Sequence, residues 1–103
     1  MRKLSGHLTL DLETSIHSLH KRKASPWHQE NYIVLAGWAV GNGEPQSRYY
    51  KNRTDARADG LLAELLETHN PAFIFGLNLK FDVLHLLVDQ PKNYAAWQEW
   101  VVA

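Results

Sequence analysis

From His7 to Glu13 the chain alternates without a break, with Leu8, Leu10 and Leu12 on one side and Thr9, Asp11 and Glu13 on the other. Period two sustained over this length marks a strand, because successive side chains leave opposite faces of the pleat. One strand cannot bury three leucines alone, so this segment must belong to a larger sheet. The same alternation sends Asp11 and Glu13 out of a single face.

The rest of the chain supplies the partners. Tyr32 to Val40 is apolar and rich in strand formers, Gly41-Asn42-Gly43-Glu44-Pro45 has turn chemistry, and Gln46 to Lys51 reads as the returning strand. Three strands in this order predict an antiparallel meander. From about Thr54 the period lengthens. Thr54 or Asp55 is the expected cap of a helix with Leu61, Leu62, Leu65 and Leu66 as its apolar stripe, ending near His69-Asn70-Pro71. Phe73-Ile74-Phe75 is a short, wholly apolar run of the kind found in a strand covered on both faces. A second helix is expected from about Asn78 to Val88, stopping before Pro91.

The order β-β-β-α-β-α predicts an α/β fold: a mixed sheet of three antiparallel strands and then a parallel one, flanked by helices. With 103 residues, 45% of them apolar, the chain makes one domain. Tyr94, Trp97, Trp100, Val101 and Val102 are apolar with nothing after them to pack beside, so the sequence reads as the first part of a domain cut short.

Eleven basic residues balance eleven acidic ones, so bulk charge does not mark a nucleic-acid binder. The absence of cysteine excludes disulfides, thiolate zinc sites and a cysteine nucleophile. Gly6, His7 and Asp11 interrupt the basic start too early for a signal peptide, and no apolar run is long enough to cross a bilayer. A soluble chain in the cytoplasm, without a membrane partner, is the expectation.

Two groups of residues carry chemistry. Asp11 and Glu13, leaving one strand face together, offer hard oxygen ligands suited to Mg²⁺ or Mn²⁺; taken alone, a solvated strand end is the plainer explanation. The second helix is apolar nearly all round, yet Asn78, Asp82, His85 and Asp89 recur at i, i+4, i+7 and i+11 as a narrow polar stripe. Such a stripe either meets water at the helix edge or carries a carboxylate inward, which is costly unless the group is paired or bound to metal.

Leu10-Asp11-Leu12-Glu13-Thr14 resembles the first motif of the DEDD-family 3′→5′ exonucleases, and Gly76-Leu77-Asn78-Leu79-Lys80-Phe81-Asp82 resembles the second, Asn-x-x-x-Asp. The stretch from Ser25-Pro26-Trp27-His28 through Asn31 to Gly37-Trp38 is similar to the proofreading domain of phage DNA polymerases of the bacterial polymerase I type (family A). The likeness covers most of residues 5–90. It implies a ribonuclease-H-like fold and a two-metal reaction at DNA 3′ ends. Asp11 would bridge two ions, Glu13 would bind one and touch the 3′-hydroxyl, and Asp82 would hold the second through water. Thr14 and Asn78 would seat the terminal nucleotide of single-stranded DNA. Leu77 departs from the histidine many relatives carry. The third motif is missing: Gln98, not aspartate, follows Tyr94 at the family's distance. Weak or absent hydrolysis is therefore expected. The implied partners are a DNA 3′ end and a polymerase module. The rival expectation is a non-catalytic half-domain completed by another chain or by a second copy.

Weaker patterns have plainer readings. His17, His20 and His28 suit a polar loop better than a zinc site. The basic cluster at 20–23 with Arg48, Lys51, Arg53 and Arg57 fits solvated surface or phosphate contact. His85 fits a helix-face histidine or a neighbour of the metals. Trp38, Trp97 and Trp100 fit core packing, and Trp27 stays open between core and base stacking.

Overall fold

The computed structural model describes residues 6–14 and 32–102. Four strands, β1 (His7–Thr14), β2 (Ile33–Val40), β3 (Gln46–Tyr49) and β4 (Phe73–Phe75), form one sheet in the order β3-β2-β1-β4. β2 runs antiparallel to both β1 and β3, whereas β4 lies parallel to β1, as the element order predicts. Four helices complete the described chain: α1 (Arg53–Ala58), α2 (Leu61–His69), α3 (Leu79–Asp89) and α4 (Asn93–Val102).

The alternation of β1 translates directly into burial. Leu8, Leu10 and Leu12 are buried while Thr9, Asp11 and Glu13 are exposed. Across the pairs Leu12↔Ala36 and Leu10↔Trp38 the covered face continues into β2. There it meets Leu61, Leu62, Leu65 and Leu66 of α2, Leu86 of α3 and Ala96 of α4. Each fully buried leucine contributes about 2 kcal/mol of apolar transfer energy, which makes this face the main source of cohesion. Trp38, Trp97 and Trp100 pack against the same core, and the Trp100 indole N–H donates to the Pro71 carbonyl at 2.8 Å.

Four details differ from expectation. The first helix is two helices, broken at Asp59-Gly60. A Cβ at Gly60 would lie 2.9 Å from the Cβ of Lys92, so a continuous helix with an ordinary side chain there would collide with the α3–α4 turn. The cap of α1 is Asn52, whose side chain accepts from the Asp55 N–H at 2.8 Å, rather than Thr54 or Asp55. β4 is an edge strand with one open face, not a strand covered on both, and Phe73 and Phe75 are 62% and 52% exposed. The apolar tail does have a partner: residues 93–102 form α4, which packs on α2.

Candidate functional site

Asp11 lies near the middle of β1, opposite Gly37 of β2. On its other side β4 pairs only as far as Phe75, opposite Thr9, so the sheet ends before it reaches Asp11. Gly76 turns the chain away at this point. A Cβ on Gly76 would come within 3.0 Å of the Leu10 carbonyl oxygen, closer than nearly all real contacts allow, so glycine lets the β4–α3 turn press against β1. α3 then starts beside the strand, with Asp82 in its first turn.

Asp82 is only 4% exposed. Burial, then the charge of Asp11, push its carboxyl up to about 6, while His85 acts in the opposite direction. Among the described residues no lysine or arginine figures in these influences, and His85 is the basic group that offsets the repulsion from Asp11. Asp11 and Asp82, seventy-odd positions apart in the chain, are thus electrostatic neighbours.

Glu13 leaves the same face of β1 and is exposed, with a bulge between it and Thr14. Among the described residues no three histidine, cysteine, aspartate or glutamate side chains come together closely enough to cage a metal ion. The expected three-carboxylate pocket is therefore not assembled among the described residues, although Asp11 lies near enough to Asp82 to raise its pKa. Thr14 is half-buried opposite Ile33, and Asn78 is exposed immediately before α3. Leu77 is fully exposed beside it.

The polar stripe of α3 runs inward rather than along a wet edge. His85 and Asp89 are 0% and 3% exposed. Asp89 accepts a hydrogen bond from the Ile33 N–H at 2.9 Å, and His85 Nδ1 stands 3.6 Å from the same carboxylate oxygen. Phe81 meets the His85 ring edge-on, with 4.5 Å between centroids.

The chain matches no family model, no curated protein and no solved structure. The site must be argued from its own geometry. A shallow groove lined by Thr9, Asp11, Gly37, Ala39 and Gln46 runs along the open face of the sheet next to Asp11. Phe73 and Phe75 share that face, with His7 edge-on to Phe75 at 5.6 Å.

Two carboxylates in mutual repulsion, one of them buried, gain from anything positive placed between them. A proton or a divalent cation both serve, and hard oxygen donors favour Mg²⁺ or Mn²⁺ among metals. Mg²⁺ is commonly held by one or two carboxylates with water and phosphate completing its shell, so a pair suits one such ion. Perturbed carboxylates of this kind concentrate at functional sites.

Arg48 belongs elsewhere. Its guanidinium binds Asp59 and Glu64, each at 2.9 Å, so the phosphate-contact reading of this arginine is replaced by a structural one. His17, His20, His28, the basic cluster at 20–23 and Trp27 lie outside the described residues. Three polar residues were not anticipated as structural anchors: Asp89, Gln90 and Asn93. No local signal pointed to the last two, because their role at the head of α2 depends on the break at Gly60, which has no side chain to cap the helix.

Proposed function

We propose that this chain is the N-terminal part of a 3′→5′ exonuclease domain of ribonuclease-H-like fold, of the kind attached to DNA polymerases for proofreading. The observation that carries the reading is that the Gly76 turn sets the first turn of α3, with Asp82, against β1, with Asp11, so that the two acidic motifs share one neighbourhood. Their shared neighbourhood is what the two-motif resemblance requires. The mixed sheet with its parallel fourth strand agrees with the expected first half of that fold.

On this reading Asp11 and Asp82 bind a divalent cation, Mg²⁺ or Mn²⁺. When bound, such an ion lowers the pKa of a coordinated water and offsets charge on a phosphodiester. The chain's own residues bind and orient: Asp11 and Asp82 grip the ion, while Asn78 and Thr14 flank the place for a terminal nucleotide. Glu13, exposed on the same face of β1, would bind an ion and touch the terminal 3′-hydroxyl. No aspartate follows Tyr94 at the family's distance, so hydrolysis by these residues alone is slow. A single-stranded DNA 3′ end is the proposed substrate, and an RNA end is distinguished from it only by the 2′-hydroxyl.

A second reading has its own observation. Phe73, Phe75, Tyr94 and Val102 are exposed at 62%, 52%, 55% and 86%, which suits a half-domain whose role is to dock on another chain. Thermal melts during a Mn²⁺ titration, run beside a 5′-labelled single-stranded DNA assay, separate the two. Metal-dependent stabilisation that disappears in Asp11→Ala and Asp82→Ala supports the nuclease reading, together with any slow 3′ shortening. Stability that depends on protein concentration and ignores Mn²⁺ overturns it in favour of docking.

A further inference from the structure

Beyond Asp82, the same helix face carries two further polar side chains, His85 and Asp89, into the core. His85 is completely buried and Asp89 nearly so, between the apolar residues Val83 and Leu86 and the start of β2. Burying a carboxylate costs several kcal/mol unless it is bonded; Asp89 offsets that cost by accepting from the Ile33 N–H, with the His85 imidazole beside it.

The geometry gives the pair a direction. The Ile33 N–H fixes the Asp89 carboxylate at 2.9 Å, and the same oxygen stands 3.6 Å from His85 Nδ1. Phe81 bounds the imidazole on another side with an edge contact. Asp82 is three residues before His85, on the same face and one turn nearer the site, so the two side chains are helical neighbours. His85 also acts on the Asp82 carboxyl against the combined push of burial and Asp11. A chain of contacts thus leads from the backbone of β2 through Asp89 and His85 towards the acidic pair.

We propose that His85, packed in the core between Phe81 and Asp89, is a positioning residue that sets how the Asp82 carboxylate meets a divalent cation. This rests on the reading of Asp11 and Asp82 as a cation site. Partners behind a metal-binding carboxylate hold it in register, and their loss commonly weakens metal binding about 10- to 100-fold.

The test is calorimetric titration of MnCl₂ into the full chain at neutral pH, with metal-free melting curves for every variant. His85→Leu, compared where its metal-free melting curve shows it folded, should bind Mn²⁺ about 10- to 100-fold more weakly. His85→Asn, which restores a polar group facing Asp89, should recover part of the affinity. Asp89→Asn keeps an oxygen for the Ile33 N–H but alters the charge facing His85, so it should weaken binding even if His85→Leu fails to fold. Parent-like affinity in the folded His85 and Asp89 variants, with binding lost in Asp11→Asn, overturns the positioning role and leaves the cation site standing. No binding by the parent chain overturns both.

Discussion

The side-chain oxygen of Asn93 accepts a hydrogen bond from the backbone N–H of Ala63 at 2.9 Å, tying the head of α4 to the first turn of α2. Beside it the Gln90 side-chain oxygen accepts from the Leu61 N–H at 3.0 Å, and the Asn93 amide donates to the Leu86 carbonyl at 2.7 Å. Helix α2 is therefore capped by residues that follow it by one helix and one strand. Replacing Asn93 with alanine strands the Ala63 N–H and leaves the Leu86 carbonyl to the Gln90 N–H at 3.3 Å. Urea denaturation should show a loss of about 1–3 kcal/mol, and Gln90→Ala a smaller one.

Asp82 makes the stability of the protein fall as pH rises. Its folded pKa of about 6 lies above the unfolded value, so between the two the native state holds the extra proton. Its contribution is fully favourable below the unfolded pKa of about 3.9 and has gone once pH passes about 6. Asp82→Asn should accordingly raise stability at pH 7.5 by about 1–2 kcal/mol and change little at pH 4. Melting curves at the two pH values check the difference, and the variant should no longer respond to Mn²⁺.

Asp59 carries the opposite slope. Burial works to raise its pKa, but hydrogen bonds from the Tyr50 hydroxyl and the Arg48 guanidinium overcome that and hold the carboxyl below its usual range. The stability it supplies is present above the unfolded carboxylate pKa and is lost as pH falls through the lower folded value. Asp59→Asn should therefore destabilise at pH 7.5 by about 1–2 kcal/mol, and its deficit should shrink on acidification.

Gly76 tests the join between β4 and β1. A methyl group there needs space next to the Leu10 carbonyl that only a shift of the turn can make. Gly76→Ala should cost about 1–3 kcal/mol in urea denaturation and weaken Mn²⁺ binding, because the turn positions α3 and hence Asp82.

Much of this was legible in residue patterns, and the failures have physical reasons. The strict alternation from His7 to Glu13 sets faces as well as an element, so both the buried leucines and the outward carboxylates follow from it. The parallel placement of β4 follows from an intervening helical stretch. The helical stripe of α3 was ambiguous because periodicity groups Asp82, His85 and Asp89 on one face without saying which way that face turns. The break at Gly60 depends on Lys92, far along the chain, and no local pattern contains it. The apolar run Phe73-Ile74-Phe75 does not tell an edge strand from a central one, since neighbours in the sheet decide that. At the site, spacing put Asp11 and Glu13 on a common face, but the described residues bring no three such side chains together, because that depends on how α3 docks on β1 and not on local spacing.

The central claim is that Asp11 and Asp82 share one divalent ion. Its most direct test is Mn²⁺ added in substoichiometric amounts to ¹⁵N-labelled protein while paramagnetic broadening is mapped along the backbone. Signals of residues 10–12, 76–78 and 82 should disappear first in the parent chain and survive in Asp11→Asn. Broadening centred on Asp59 and Glu64, or spread evenly over the acidic surface, would contradict it.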